Sequence, residues 1–318
     1  MRLQNILVAT DLSESAQPVY RWAAAVARRL GSKVTLINID ETSEFAWPAR
    51  GMRGSVRLMV FLQELSHRRR QLLDEARDGF EREDIPTTIE TGVGRAPDKI
   101  LDHTRSHDVD LLVMGKRGTH QVERFTLGDA TKRVLRRVRV PTLVIPRGGK
   151  TEDDPPEPFR GQRIISATAF SAACMMTLDV TLELARLLGA HVDCVHVIKL
   201  PLPFSITPAE WPEIVAGETR EELEHMHARD LAQLIGKERA GRCTPYTTLG
   251  VSVSRALCDL ALETNADLIT IPSHSSGKED PPRFGSTTEN VVKRSSVPVL
   301  VFPVRYLEQR FGMAARGS

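Results

Sequence analysis

The sequence has no excess of one charge and no long hydrophobic run. Its 318 residues contain 43 lysines and arginines against 41 aspartates and glutamates, a formal net charge of +2. This balance gives no reason to expect a nucleic acid or an anionic membrane as a partner. No apolar run approaches the ~20 residues that span a membrane, and the N-terminus enters a strand pattern without a signal-peptide core. We therefore expect no membrane span and a cytoplasmic location.

Cysteine is scarce and lies in the second half only. The four cysteines form no CxxC pair, which fits a reducing compartment and argues against a disulfide framework. They are Cys174, Cys194, Cys243 and Cys258.

Two groups of histidines were considered as metal ligands. His191, Cys194 and His196 lie on one predicted strand, where successive side chains face opposite ways, so at most two of them converge. His225 and His227 are two residues apart on a predicted helix and do not share a face, so we expect them at the surface. We predict no metal site.

The sequence does contain one long pattern twice. ILVATDLSESAQPVYRWAAAVARRLGSKVTLINI, which begins at Ile6, is matched by IISATAFSAACMMTLDVTLELARLLGAHVDCVHVI, which begins at Ile164. The spacing between matched positions stays at 158 or 157 residues as far as Pro141 and Pro298. A spacing held so closely over so much chain indicates duplication of a whole domain.

Each half alternates short apolar runs with segments of helical periodicity. Runs that are apolar throughout are typical of parallel strands covered on both faces. We predict an α/β fold, with an open five-stranded parallel sheet and helices on both faces in each half. The runs are ILVAT, VTLINI, TTIET, DLLVM and TLVIP in the first half, and IISAT, VDCVHVI, YTTLG, DLITI and VLVFP in the second.

Segments without periodicity mark the domain limits. Residues 149–162 are rich in proline, glycine and acidic residues and are predicted to be a linker. It separates domain 1 (1–148) from domain 2 (163–304), and a tail (305–318) follows. The proline- and aromatic-containing segments 43–54 and 199–212 leave the second strand of each half, and we interpret them as candidate lids over a ligand site.

Three features of the first half converge on the carboxyl ends of its strands, where open α/β sheets bind ligands. Asp11 follows the first strand, and its carboxylate could accept hydrogen bonds from a ribose hydroxyl or an adenine amino group. The fourth strand leads into Gly115-Lys116-Arg117-Gly118, a turn that lets the backbone approach a ligand closely. Gly128 opens the next helix, whose amides can bind phosphate oxygens.

An aspartate after the first strand, G-x2-G-x9-G after the fourth and a Val-Pro-Thr-Leu-Val-Ile fifth strand resemble the universal stress protein family, in particular its ATP-binding branch. The resemblance covers nearly the whole chain twice. It implies two tandem flavodoxin-like domains of the adenine nucleotide α-hydrolase-like type. It also implies ATP, with or without Mg²⁺, bound by residues of the first half: Ala9, Asp11 and Ile39 around the adenosine, Met114 and Gly115 beside the sugar, and Gly118, Gly128, Asp129 and Ala130 at the phosphates.

One position of the first half departs from the family pattern. The family usually has serine or threonine where this chain has Asp129. A carboxylate there repels a triphosphate, and as an N-cap it would occupy the amides that phosphate needs. Lys116, Arg117 and Arg124 are nearby cations that compensate for this charge in our prediction.

The second half departs in the opposite way. Ala169 stands where the first half has Asp11, and Pro272 and Ser275 stand where it has the two glycines of the turn. Gly285, Ser286 and Thr287 retain the opening of the helix and could still hold a phosphate or sulfate. Without the acceptor, adenine recognition is not expected, so we predict nucleotide mainly in domain 1.

Three functions were weighed. The leading one is a stress-response regulatory protein that binds an adenine nucleotide and acts on an unidentified protein partner, because no catalytic constellation is recognisable. A slow ATPase or autokinase would use Asp129 to hold a metal, although GxxxxGK[ST] is missing. A carrier of a lipid or apolar metabolite would use domain 2 and the segment 200–211.

The fifth predicted strands lead to a prediction about assembly. Residues 141–145 and 298–302 are apolar, and each closes the strand pattern of its half, so each needs a partner or a cover. In the universal stress proteins this strand pairs with its equivalent across a dimer axis. We therefore predict an intramolecular pseudo-dimer through these strands, with any homodimer formed by another surface.

Overall fold

The computed structural model describes residues 3–41, 56–117, 127–147, 160–199, 218–274 and 284–312. The chain divides into two compact units, Arg2–Phe159 and Arg160–Ser318. The candidate lids, apart from Lys199, lie outside the described residues, as do residues 149–159 of the predicted linker. Each unit is described by itself below.

The first unit is an open sheet whose described strand pairs are all parallel. Its strands follow the order β3-β2-β1-β4-β5. The predicted five-stranded parallel sheet is confirmed. The elements are β1 (Asn5–Ala9), α1 (Gln17–Leu30), β2 (Lys33–Asp40), α2 (Val56–Glu81), β3 (Thr87–Val93), α3 (Ala96–Ser106), β4 (Leu111–Gly115), α4 (Asp129–Leu135) and β5 (Thr142–Ile145).

The second unit repeats this architecture with the strand order β10-β9-β6-β7-β8, again in parallel pairs. Helix α6 is interrupted at Gly236, which has a φ of 70°. The elements are β6 (Arg163–Thr168), α5 (Ala172–Leu188), β7 (His191–Lys199), α6 (Glu218–Arg239), β8 (Thr244–Gly250), α7 (Val253–Glu263), β9 (Leu268–Pro272), α8 (Ser286–Arg294), β10 (Val299–Phe302) and α9 (Val304–Arg310).

The first helix of each unit ends in the same way. Gly31 follows α1 with a φ of 65°, and Gly189 follows α5 with a φ of 71°. Left-handed backbone at this position costs a residue with a Cβ atom more than it costs glycine, which explains why both halves carry glycine here. Gly31 donates its N–H to the carbonyl oxygen of Ala27, and so closes the last turn of α1.

One buried cluster of the first unit joins β1, β2 and β4 to α3 and α4. Ala9 and Ile39 pack against its margin and are half-buried. The packing of β4 against α3 therefore positions the residues beneath the candidate site, which lies at the carboxyl edge of the sheet. The eight buried side chains of the cluster are Leu7, Ile37, Ile100, Leu101, Leu112, Met114, Val134 and Val138.

The C-terminal segment differs from the predicted tail. Residues 304–310 form α9, in which Val304 and Leu307 are buried. Arg310 donates to a carboxylate oxygen of Glu183 on α5 at 2.5 Å. These contacts attach the start of the segment to the second unit. In the described part of the chain, no helix combines the length and the apolar character needed to cross a membrane.

Candidate functional site

The loop after β1 presents Asp11 at the end of the strand. Thr10 anchors this loop, because its hydroxyl accepts the Leu12 N–H at 3.0 Å and also bonds the hydroxyl of Tyr20. Leu12 has a φ of 61°, a left-handed conformation that is uncommon for a residue with a side chain. Asp11 is exposed, and its Oδ1 accepts from the backbone N–H of Ser13 at 3.1 Å and from the Ser13 hydroxyl at 2.7 Å. The carboxylate is thus held in place and open to solvent.

Three predicted adenosine contacts lie on one face of the sheet. Ala9 is in register with Ile37 on β2 and with Met114 on β4, and Ile39 lies two residues beyond Ile37. Ala9, Ile39 and Met114 all belong to the packing around the core described above. Gly92 leaves room for this arrangement, since a Cβ atom there would lie 2.8 Å from Cδ1 of Ile39. The three side chains form an apolar floor at the carboxyl edge.

The end of β4 is tied to the start of α4 by two hydrogen bonds. Gly128 donates its N–H to the Lys116 carbonyl at 3.0 Å, and the Thr131 hydroxyl donates to the Gly115 carbonyl at 2.9 Å. A Cβ atom on Gly115 would lie 3.3 Å from the Arg117 carbonyl oxygen, so the turn is tight. These bonds fix the N-terminus of α4 beside the end of β4.

The structure shows which residue begins α4. Gly128 is the N-cap residue of α4, and Asp129 is its first helical residue, so the N-cap role predicted for Asp129 is wrong. Because glycine has no side chain, the N-cap residue leaves the first-turn amides uncovered. Asp129 is exposed and Ala130 is half-buried.

The compensating cations differ from the prediction. The Lys116 side chain is buried, with 6% of its surface exposed, and Arg117 is half-buried. A buried lysine is poorly placed to neutralise a charge in solvent. Gly118 and Arg124 lie outside the described residues.

The second unit reproduces the same two bonds. Gly285 donates its N–H to the Ser273 carbonyl at 2.8 Å, and the Thr288 hydroxyl donates to the Pro272 carbonyl at 2.8 Å. Phe170 has a φ of 54°, as Leu12 has in the first unit. Both halves therefore have the same backbone geometry at the carboxyl edge of the sheet, although the residues that would contact a nucleotide differ.

A cavity of about 460 Å³ opens at this edge of the second unit. Gly285, Ser286 and Thr287, which the sequence singled out, lie together on its wall, and Ala169 occupies the position of the missing carboxylate. The other described lining residues are Ala167, Thr168, Cys174, Val195, His196, Val197, Val253, Leu257, Ile271, Pro272, His274, Phe284 and Thr288.

The two histidines and the one cysteine of β7 have separate surroundings. His191 bonds Asp193 through Nε2 at 3.2 Å, and His196 bonds the Thr168 carbonyl through Nδ1 at 3.1 Å. Burial raises the pKa of the Cys194 thiol to about 12, with smaller contributions from Cys243 and Cys174. A protonated thiol is a poor metal ligand and nucleophile. The described ranges contain no group of three or more metal-ligating side chains.

The two helical histidines behave differently from each other. His225 is exposed, as predicted. His227 is half-buried instead, because its ring packs 5.7 Å from that of His196.

Thr131 and Thr288 are the residues that sequence reasoning missed. Each follows the helix-opening glycine by three residues, and this Gly-x-x-Thr spacing occurs at the same place in both halves. This repeated spacing could have indicated from the sequence that the two threonines have the same role.

We expect Thr131→Val to lower the free energy of unfolding by about 1–3 kcal/mol, because the Gly115 carbonyl loses its donor in a partly buried place. Urea unfolding measures the change. Thr91→Val, at an exposed threonine of β3, is the control, with an expected change within about 0.5 kcal/mol. Equal effects of the two substitutions would contradict the anchoring role.

The protein consists of two tandem domains of one class, the open parallel α/β fold. Each domain has a loop after its first strand and a helix that begins at a glycine after its fourth strand. A profile of the universal stress protein family matches residues 2–146 and residues 161–303. The chain therefore belongs to the universal stress protein family.

Similar proteins extend over one or both units. The universal stress protein Slr1230 of Synechocystis is 24% identical over 321 residues, covering 94% of this chain and all of its own. A putative universal stress protein of Staphylococcus aureus is 28% identical over 155 residues, 48% of this chain and 87% of its own. The crystal structure of a universal stress protein from Archaeoglobus fulgidus, 19% identical, covers 96% of this chain and all of its own with a TM-score of 0.66. This last likeness supports the fold.

Proposed function

We propose that the first unit binds ATP or another adenine nucleotide and that nucleotide occupancy regulates a protein partner in the stress response. One observation carries the proposal. The Asp11 carboxylate, the apolar floor and the N-terminus of α4 follow the carboxyl ends of neighbouring strands β1, β2 and β4. Ligands of open α/β sheets bind at this edge.

The residues present fit such a ligand part by part. The base and ribose would lie on Ala9 and Ile39, with Asp11 accepting from a ribose hydroxyl or the adenine amino group. Met114 and Gly115 would lie beside the sugar. The first-turn amides of α4, which receive no side-chain cap from the N-cap residue Gly128, would donate to phosphate oxygens together with the backbone at Gly118. If Mg²⁺ accompanies the nucleotide, it would screen the phosphate charge.

Asp129 sets the affinity for the phosphates in this proposal. We expect Asp129→Ser to strengthen ATP binding about fivefold, because two like charges ~4 Å apart in water repel by about 1 kcal/mol. Asp129→Asn removes the charge but keeps the size of the side chain, and it should strengthen ATP binding by a similar factor. Calorimetric titration with and without Mg²⁺ measures both. Weaker binding confined to the Mg²⁺ titration would contradict this expectation and favour a metal-holding role in slow hydrolysis.

We do not propose that the second unit binds a nucleotide. It retains Gly285, Ser286 and Thr287 but has Ala169 and Pro272 in place of Asp11 and Gly115. The alanine removes the carboxylate acceptor and the proline removes a backbone donor, so the second unit lacks two polar groups that the first unit offers to adenosine.

The cellular setting and assembly belong to the same proposal. The cytoplasm is supported by the four cysteines, none of which forms a disulfide. Pairing of residues 141–145 with 298–302 across the two halves is supported by the apolar sequence of both segments.

Native mass spectrometry of the full-length protein identifies the ligand. We expect one adenine nucleotide per chain, either co-purified or loaded by ATP. A chain that cannot be loaded with any adenine nucleotide would overturn the proposal.

A further inference from the structure

The cavity of the second unit differs in chemistry from a nucleotide site. Its volume of about 460 Å³ is within the range of small-molecule pockets. Most of its described lining is apolar, contributed by the ends of β6, β7 and β9 and by α7. Among the described residues that line it there is no aspartate, glutamate, lysine or arginine.

This lining favours an uncharged ligand. A triphosphate would have to give up the hydration of several negative charges, and the described lining offers it hydroxyl groups, such as those of Ser286 and Thr287, but no cationic side chain. An apolar body instead gains from leaving water, at roughly 25 cal/mol for each Å² of surface removed. Val197 and Leu257, on facing elements, offer it aliphatic contacts.

His196 supplies a directional group in this lining. Its Nδ1 lies 3.1 Å from the Thr168 carbonyl oxygen. A carbonyl only accepts, so the neutral ring must carry its proton on Nδ1, which leaves Nε2 as an acceptor. Burial lowers the pKa of His196, and His227 adds to this effect, so the ring is mainly neutral at pH 7.5. Phe170 packs on it at 4.2 Å between ring centroids and holds its orientation.

We propose that the cavity of the second unit binds an uncharged, mainly apolar alcohol or phenol, whose hydroxyl donates to Nε2 of His196. The class follows from three properties of the lining: mostly apolar residues, no charged side chain among the described residues, and an acceptor that requires a donor on the ligand.

The test uses two fluorescent probes that differ by the replacement of one hydroxyl hydrogen with a methyl group. 2-Naphthol carries the hydroxyl donor, and 2-methoxynaphthalene has the same ring without it. Both are titrated into the full-length protein at pH 7.5 with saturating ATP, which occupies the first unit if the proposed function holds. We expect 2-naphthol to bind about fivefold more tightly, the contribution of one neutral hydrogen bond.

Two variants locate the binding. Ala169 is exposed at the cavity, so Ala169→Trp should obstruct it without opening the core, which circular dichroism and the Tm check. We expect this variant to lose both probes. His196→Phe should keep the apolar contacts and abolish the preference between the probes.

Each of three results would overturn the proposal: equal affinity of the native protein for the two probes, unchanged probe binding in a folded Ala169→Trp protein, or displacement of 2-naphthol by ATP in the Asp11→Ala protein. Failure of the first unit to bind ATP would leave the Ala169→Trp comparison intact, so the two proposals fail separately.

Discussion

Asp11→Ala is expected to weaken ATP binding about 10- to 100-fold. Hydrogen bonds to a charged partner contribute roughly 1.5–3 kcal/mol, and the variant leaves the adenosine without its carboxylate acceptor. Calorimetric titration of the full-length protein measures the affinity. Asp11 is exposed and accepts from Ser13 within its own loop, and circular dichroism checks that the variant keeps the fold.

Two further variants make this result specific. Asp11→Asn keeps an acceptor oxygen but loses the charge, and we expect an intermediate affinity. Asp78→Ala removes a different exposed carboxylate, on α2 beside Arg77, and should bind ATP like the native protein. Native-like affinity in Asp11→Ala would show that the loop after β1 does not contact the nucleotide.

Leu112→Ala is expected to lower the free energy of unfolding by about 3 kcal/mol. Leu112 is fully buried in the middle of β4 and belongs to the core under the site, and truncations of this kind cost roughly 2–5 kcal/mol through lost contacts and the cavity left behind. Urea unfolding followed by far-ultraviolet circular dichroism measures the loss.

The control for Leu112→Ala is Val93→Ala. Val93 is 59% exposed on β3 of the same unit, and its truncation should change the stability by no more than about 0.5 kcal/mol. A loss below 1 kcal/mol in Leu112→Ala would mean that this core does not hold the first unit together.

The strands and the first helix were predictable because their sequence pattern depends on burial alone. The run ILVA, residues 6–9, is apolar throughout, as a strand covered on both faces requires, and it lies in β1. Val19, Trp22 and Val26 follow the helical period and are buried on α1. The short helix α9 was missed because Val304 and Leu307 are a single pair of apolar positions, too few to establish a period.

The sequence predicted those parts of the candidate site in which a residue type at a given position has a single common structural role. An aspartate directly after a strand and a glycine that opens a helix gave Asp11 and Gly128. The roles of Thr131 and Thr288 depend on how a helix start meets a strand end, which only the folded chain fixes. The left-handed backbone of Leu12 and Phe170 had no sequence signal, because leucine and phenylalanine rarely adopt it.

The stoichiometry of ATP binding to the full-length chain, measured by calorimetry, tests most directly whether the two halves have diverged in function. We expect one ATP per chain, with the affinity of that site reduced in Asp11→Ala and unchanged in Ala169→Trp. Two ATP per chain, or a single site that survives Asp11→Ala and is lost in Ala169→Trp, would contradict a nucleotide site in the first unit alone.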